Sequence, residues 1–489
     1  MPTPSAPLSS LARFQHYHLV GIGGSGMSAI ARVLALRGFT VSGSDRAANP
    51  QTDALAALGV RVHVGHDPAH IAGAGALIAT SAATEHNPEI AAAGAAGVPV
   101  FRRNAMVGAL MAAAPGEPAK TAVAVAGTHG KTTTTSMIAH ILHETGRQPS
   151  YIIGGVLATT GLNADWNPHG RAFVIEADEY DHMFLGLAPD VAVLNNAEWD
   201  HPDFFADEAA LLDAFARFAA RIRPGGVLIV GEDSAGARRA GDAFAGRRVG
   251  FGTGAAAEYR AGQVAVGPDG TRFTLHVPGS APVEVTIQPP GAHNALNALA
   301  AMLAAYHAEG VSPTESARAL ATFAGAARRF EVRGERAGVR VIDDYAHHPT
   351  AIAATAAAAQ ARFPDRTLWV VWQPHTFSRT AALWAEYRAV LAALTAQGVR
   401  VLVTDIYAAR ETATDPAITA ARLAAEAEAT YTGGLGETAA YLRAHVRGPA
   451  AVVIMSAGDA PAIGRALLAG DQGAEHAGDA HDAAAHDGR

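Results

Sequence analysis

Short apolar runs alternate with amphipathic stretches along most of the chain. Residues 16–20 (HYHLV) form a brief apolar run that ends in glycines, and residues 25–37 carry apolar side chains at helical spacing. Another apolar run, 39–42, closes at Asp45, and the runs 61–64, 76–79 and 98–101 follow, separated by alanine-rich helical stretches. Strands alternating with helices predict a parallel sheet covered on both faces. The composition turns to APGEPAK over 114–120, which reads as a linker. The alternation resumes with 121–126, 172–175, 191–194 and 226–230. It changes over 258–288, where antiparallel strands are predicted with turns at 267–270 and 278–280, before a helix over 295–306. A third α/β unit opens near Ala327, with strands over 339–342, 367–371, 400–403 and 451–455. Beyond Gly470 the chain is mostly Gly, Ala, His and Asp, the composition of a disordered tail. A length of 489 residues, at about 150 per domain, also gives three domains.

Composition narrows the class. Lys and Arg number 37 against 45 Asp and Glu, a net charge of −8, which argues against a protein that coats nucleic acid. Hydrophobic residues at 49% and charged ones at 17% are those of a globular chain. The absence of cysteine removes disulfides, thiolate metal sites and cysteine nucleophiles together. The first residues lack the basic start and apolar core of a secretory signal, and no apolar run approaches the ~18 residues of a membrane span. The expectation is a soluble, cytoplasmic protein with no membrane insertion. Lys120 and Lys131 are the only lysines, every other basic residue being arginine.

Two glycine-rich turns stand out. Gly21-Ile-Gly23-Gly24-Ser25-Gly26 fits G-x-G-x-x-G between a strand and a helix, with Asp45 after the next strand. Glycines there admit a diphosphate close to a helix N-terminus; alone, the motif suggests a nicotinamide dinucleotide, although a merely structural turn has the same form. The second, Gly127-Thr128-His129-Gly130-Lys131-Thr132-Thr133, has the strand-turn-helix context of a phosphate loop. Its amides would cradle phosphates, Lys131 would bridge the outer ones, and Thr132 would reach Mg²⁺. It departs from G-x-x-x-x-G-K-[ST] in having Val125 at the first position.

Acidic clusters follow the next strand runs: Glu176-Ala-Asp178-Glu179-Tyr180-Asp181, then Glu198-Trp199-Asp200-His201. Such oxygens with a histidine suit Mg²⁺ or Mn²⁺ beside a triphosphate, because strand ends of a parallel sheet are where ligands bind. The third unit supplies Arg328-Arg329-Phe330, Asp343-Asp344-Tyr345-Ala-His347-His348, Gln373-Pro-His375-Thr-Phe-Ser-Arg379-Thr380 and the stretch from Thr404 to Arg410-Glu411. Histidines and an arginine at the strand ends of one sheet read as a site for small anionic groups.

The motifs GIGGSGMSAIA, AVAGTHGKTTTTSMIAHIL, EADEYD, NNAEWDH, GAHNALNALAA, RRFE, DDYAHHPT, QPHTFSRT and TDIYAARE, in that order, resemble those of the Mur ligases from about His18 to Asp459. The resemblance implies an α/β protein of three domains: a UDP-sugar-binding Rossmann-like domain (1–116), a central P-loop-type ATPase domain (117–326) and a Rossmann-like ligase domain (327–470), then the tail (471–489). Within the family, the motifs most resemble the branch that joins L-alanine to the lactyl carboxylate of UDP-N-acetylmuramate at the expense of ATP. The first glycine turn then becomes a uridine diphosphate site.

The resemblance implies ATP at Gly127, Thr128, His129, Gly130, Lys131, Thr132 and Thr133, with Asn294, Arg328 and Asp344 on its adenine and ribose side. It implies metal ligands at Thr132 and Glu176, with His201 for a second ion, and the UDP sugar at Gly23, Gly24, Ser25, Gly26, Met27, Ser44, Asp45, Ser81, Arg103 and Asn163. His348 and Arg379 would face the amino acid, so the catalytic set is Lys131, Glu176, His201, His348 and Arg379. Some members have arginine at the place of Thr376; Tyr180, Met183 and Trp199 depart from the commoner DES-D-x-S-F and E-A-D-H patterns, and RRNAM lacks the acid of R-A-E-M. Several sister ligases carry a carbamylated lysine beside the second ion, but no lysine follows Lys131 here. That ion would rely on Glu176 or its neighbours, His201, waters and substrate oxygens. The partners implied are small molecules, with a monomer or homodimer as the assembly. Three rivals stand: a ligase of the same family that attaches a preformed tripeptide, a nicotinamide-dependent oxidoreductase, and a nucleotide-binding scaffold without catalysis.

Overall fold

The structure, a computed structural model, describes residues 11–469 apart from 81, 114, 115, 410 and 414. The expected tail, Ser81 and Arg410 therefore lie outside the described residues. Three sheets organise the chain.

The first sheet has five parallel strands in the spatial order Arg61–Val64, Thr40–Asp45, His16–Val20, Ala76–Ala79, Val100–Arg102. The order reverses beside His16–Val20, and in doubly wound sheets a ligand crevice opens at the carboxyl ends of the strands at such a reversal. The first glycine turn sits there and leads into the helix Ser25–Leu36, whose apolar stripe (Met27, Ile30, Val33, Leu34) is buried.

The second sheet has ten strands. Thr121–Ala126 lies at its centre, paired in parallel with Val191–Leu194 on one side and Ala172–Glu176 on the other. The register sets Val125 opposite both Val193 and Glu176, so the segments after all three strands emerge at one end of the sheet. The helix Lys131–Glu144 is buried from Thr132 to Leu142, against the helix Ala292–Glu309. Burying a Leu or Ile side chain contributes about 1.5–3 kcal/mol, so the core around Met137, Ile138, Ile141 and Leu142 anchors the loop that precedes it.

The third sheet runs Glu331–Arg336, Val339–Asp344, Ala450–Met455, Thr367–Trp372, Arg400–Thr404, Thr430–Gly433, parallel except for the first pair. By compactness the described residues form two units, 11–265 with Gly270–Ala327, and Val266–Asp269 with 328–469.

The strands expected over 258–288 are present: Tyr259–Gly267 and Gly270–His276 are sheet neighbours joined by a two-residue turn, Gly270–His276 pairs antiparallel with Val283–Ile287, and Tyr259–Gly267 also joins Arg247–Gly252 in parallel. Five strands lie outside those expected from the sequence: Ser150–Leu157, whose apolar pattern is interrupted by Gly154-Gly155, and Leu162–Asp165, Arg247–Gly252, Glu331–Arg336 and Thr430–Gly433. The helix predicted over 295–306 extends to Ala292–Glu309 and ends at Gly310 in the left-handed conformation (φ 68°).

Candidate active site

The second glycine turn is shaped for a ligand. Gly130 caps the helix Lys131–Glu144 with φ 79°, a conformation that favours glycine, and a Cβ there would meet the Asn297 amide and lie 3.0 Å from Asn195 Nδ2. The turn is tied down from the neighbouring strand end. His129 N–H donates to Asn196 Oδ1 (2.8 Å), Thr128 Oγ1 donates to the Glu198 carbonyl (2.8 Å), and His129 Nε2 is 2.9 Å from Glu198 Oε2. Lys131 curls back over its own turn, donating to the carbonyls of Gly127 (2.7 Å) and Thr128 (3.2 Å).

The counter-charge to Lys131 is Glu179, whose carboxylate oxygens lie 2.9 and 2.8 Å from Nζ. Burial works against the ammonium, yet Glu179, Asp178 and Glu176 outweigh it and hold its pKa above the ordinary lysine value. Burial pushes the Glu179 carboxyl up to about 7, with Asp178 adding to the shift and Lys131 opposing it. In the sequence Glu179 is one of a cluster of acids suited to Mg²⁺ or Mn²⁺, with nothing that links it to Lys131. Its partner is 48 residues away, so only the fold reveals the pair.

Glu176 lies at the end of its strand between two donors, Thr132 Oγ1 (3.0 Å) and Gly154 N–H (2.7 Å). His201, in the left-handed region at φ 57°, brings Nε2 to 3.7 Å from Glu179 Oε1 and 3.9 Å from Asp200 Oδ2. Lys131, Thr132, Glu176 and His201 thus share one neighbourhood around the phosphate loop, with Glu179 among them. Asn294, buried, donates to the Pro290 carbonyl (2.8 Å) and accepts from Asn297 (3.0 Å), which receives the Thr134 hydroxyl behind the loop (3.3 Å).

The positions that depart from the commoner family patterns have structural work. The Tyr180 ring lies 5.0 Å from that of His201 and its hydroxyl donates to Asp203 (3.0 Å). Met183 is buried, and Trp199 Nε1 donates to the Phe205 carbonyl (3.1 Å).

At the first glycine turn, Gly23 N–H donates to Asp45 Oδ2 (2.8 Å), and a Cβ on Gly23 would lie 2.6 Å from Asn49 Nδ2 and 2.9 Å from that Asp45 oxygen. Gly24 and Ser25 are exposed, whereas Met27 is buried in the helix that follows. Asn163, on a strand of the second sheet, donates to the Ser25 carbonyl (3.0 Å). Arg103 places Nη2 2.7 Å from Asp178 Oδ2, and burial, which raises the Asp178 pKa, is outweighed by Arg103, Lys131 and His201, so it lies below the ordinary value. Ser44 is fully buried and donates to Glu89 Oε2 (2.5 Å), with His66 Nδ1 3.0 Å away. Glu89, itself fully buried, also meets His70 Nδ1 (2.8 Å) and His18 Nε2 (3.5 Å). Burial opposes its charge, but the hydrogen bonds from His18, Ser44 and His70 hold its pKa down to about 2. Neither Glu89 nor the histidines around it carried any motif, so nothing in the sequence flagged them.

In the third sheet, His348 is buried and caps the helix Pro349–Arg362. Arg379 is buried in the short helix Phe377–Ala382, with Nη1 3.4 Å from His375 Nδ1. These two follow strands separated by one neighbour, Ala450–Met455. Thr376, at φ 62°, accepts from Arg379 N–H (3.4 Å) and so caps the helix that carries the arginine. Arg328 Nη2 donates to the Ser456 carbonyl (2.6 Å) and Nε is 3.4 Å from Asp343. Asp344 spends its carboxylate on backbone, accepting from Phe330 N–H (2.7 Å) and Ala346 N–H (2.8 Å).

The family models match in the same order as the sheets: "Mur ligase family, catalytic domain" over residues 16–115, "Mur ligase middle domain" over 125–305, and "Mur ligase, glutamate ligase domain" over 328–458. The chain belongs to the Mur ligase family. Among its relatives in that family, the UDP-N-acetylmuramate–L-alanine ligase of Chloroflexus aggregans is 41% identical over 475 residues, covering 93% of this chain and 98% of the relative. The protein of the same name from Kineococcus radiotolerans is 42% identical over 479 residues, covering 96% and 98%. Among solved Mur ligase structures, the UDP-N-acetylmuramate–alanine ligase of Thermotoga maritima matches with a TM-score of 0.76 at 26% identity, covering 94% of this chain and 99% of that one. The murein peptide ligase of Psychrobacter arcticus matches with a TM-score of 0.69 at 27% identity, covering 93% and 98%.

Proposed function

We propose that the chain joins L-alanine to the lactyl carboxylate of UDP-N-acetylmuramate, using ATP and releasing ADP and phosphate. The observation that carries this reading is the phosphate loop with Lys131 and Thr132 beside Glu176, in a chain 41% identical over nearly its whole length to a ligase named for that reaction. A carboxylate is a poor electrophile, so ATP first converts it to an acyl phosphate. The alanine amine then adds to the acyl carbon and phosphate leaves from the tetrahedral intermediate. Lys131, freed from Glu179 by the incoming phosphates, balances charge on the transferring phosphoryl group, the main contribution expected in this chemistry.

The Thr132 hydroxyl and Glu176 carboxylate, 3.0 Å apart at a helix N-terminus, form a hard-oxygen pair of the kind Mg²⁺ accepts. Mg²⁺ held there, with His201 toward a second ion, would supply further neutralisation of the phosphates. Asn294, Arg328 and Asp344 are assigned to the nucleotide's base and sugar. The turn Gly23 to Met27, with Ser44, Asp45, Ser81, Arg103 and Asn163, is assigned to the UDP sugar, and His348 and Arg379 to alanine. A guanidinium can grip the alanine carboxylate with two parallel hydrogen bonds. The enzyme works in the cytoplasm, as a monomer or homodimer; among the described residues no helix is long and apolar enough to cross a membrane.

A second reading, attachment of a preformed tripeptide, is favoured by the likeness to the Psychrobacter arcticus murein peptide ligase. Phosphate release with UDP-N-acetylmuramate and ATP, measured against each amino acid and against the tripeptide, separates the two. Release with alanine and none with the tripeptide is the expected result; the reverse overturns the proposal.

A further inference from the structure

Two adjacent acids each hold the cation of a different glycine turn. Asp178 Oδ2 receives Arg103 Nη2 at 2.7 Å, and Glu179 receives Lys131 Nζ at 2.8–2.9 Å. Arg103 belongs to the first turn by position as well: its Nη1 lies 2.9 Å from where a Cβ on Gly26 would stand, so the guanidinium lies directly against that turn. Its planar fork therefore has one edge on Asp178 and the other toward the sugar-side turn, an arrangement a point-charge ammonium cannot reproduce.

The dipeptide is held from its flanks. Asp178 accepts Tyr180 N–H on Oδ1 (3.2 Å) and Phe184 N–H on its carbonyl (3.0 Å), while Asp181 and His182 just beyond occupy the left-handed region at φ 56° and 50°. Non-glycine residues in that region cost about 1–3 kcal/mol each and persist only where contacts over-determine them. The helix Arg103–Met111 packs directly on this segment, and a Cβ on Gly108 would run into the Gly186 carbonyl.

We infer that the Arg103–Asp178 pair is a positioning device that couples the two substrate sites: a ligand that fixes Arg103 at the first turn fixes the 178–179 backbone, and with it the carboxylate that sets Lys131. The inference rests on the assignment of the UDP sugar to the first turn and ATP to the second. The ordering cost of the segment is met once, by whichever ligand binds first, so the second binds more tightly. Linkage makes the effect reciprocal: each ligand strengthens the other by the same factor.

The test is calorimetric titration of UDP-N-acetylmuramate into the full-length protein, with and without a saturating non-hydrolysable ATP analogue and Mg²⁺, and the reciprocal titration. In the wild type the analogue should tighten sugar binding about fivefold or more, the lower end of common coupling factors. Asp178→Asn should bring the factor close to one while each ligand alone still binds. Arg103→Lys, which keeps the charge and loses the fork, should also bring the factor close to one, with weaker binding of the sugar alone, and it serves where Asp178→Asn does not fold. A purely structural role would shift both affinities and leave their ratio alone. Wild-type coupling near one, or full coupling retained in a folded Asp178→Asn or Arg103→Lys, overturns the inference. Failure of the wild type to bind the UDP sugar at all would instead sink the underlying functional reading.

Discussion

The two glycine turns have the same local architecture and opposite chemistry. Each follows a buried parallel strand and opens a helix, so each presents backbone N–H groups at a helix N-terminus. In the first, Gly23 N–H already donates to Asp45 and no cation lies within the turn itself; its arginine arrives from Arg103, on another helix. In the second, the cation is built in as Lys131, the helix begins with hydroxyls, and the surrounding acids hold the ammonium charged. In the proposed function, backbone shape suits a phosphate at both turns and the side chains decide which chemistry follows: a diphosphate that only needs holding at the first, a phosphoryl group to be transferred at the second.

The sharpest way to break that contrast is Lys131→Ala. Losing a positioned phosphate contact costs about 10²–10³ in rate. Steady-state phosphate release should fall by at least that factor while UDP-N-acetylmuramate still binds; activity within tenfold of wild type would contradict the phosphate-loop role. Arg379→Ala should act elsewhere, raising KM for alanine roughly tenfold or more through loss of charge-assisted hydrogen bonds, with KM for ATP little changed. A change in the ATP KM alone would move Arg379 to the nucleotide.

His201→Ala should raise the Mg²⁺ concentration needed for half-maximal activity several-fold. With no lysine after Lys131, removing bicarbonate and CO₂ should leave the rate unchanged, and activation by bicarbonate at fixed pH would show a carbamate after all. A smaller and purely structural effect belongs to the first sheet. The Glu89 pKa is depressed from 4.5 to about 2, so its contribution to stability is complete above pH 4.5 and is lost as pH falls through 2. Glu89→Gln should destabilise the fold by roughly 2–3 kcal/mol at pH 7, with the gap to wild type narrowing below pH 4.5, as read by denaturant unfolding.

Legibility in the sequence followed burial except at Ser150–Leu157, mostly buried but broken by Gly154-Gly155. Val191–Leu194 is fully buried, and an apolar run announces it at its observed bounds. Glu331–Arg336 and Thr430–Gly433 end the third sheet and bury no residue, so their sequences, EVRGER and TYTG, carry no apolar run. Arg247–Gly252 mixes charge and glycine because only part of it is buried. The site divided similarly. Lys131, Thr132 and Glu176 could be placed because local motifs set them beside a turn or at a strand end. Glu179 and Glu89 could not be ranked, since their roles come from partners brought in by the sheets from residues far away in sequence. The resemblance added assignments that local spacing alone could not reach, such as Asn294 and Arg379.

The contrast between the turns is tested most directly by titrating UDP-N-acetylmuramate and a non-hydrolysable ATP analogue, each alone, into Lys131→Ala and Gly23→Ala. A methyl at Gly23 would crowd Asn49 and Asp45 at 2.6 and 2.9 Å, so that variant damages the first turn only. Lys131→Ala should lose affinity for the analogue and keep the sugar nucleotide, and Gly23→Ala should do the reverse. Loss of both ligands from either folded variant, or loss of the same ligand from both, would contradict the division of labour between the two turns.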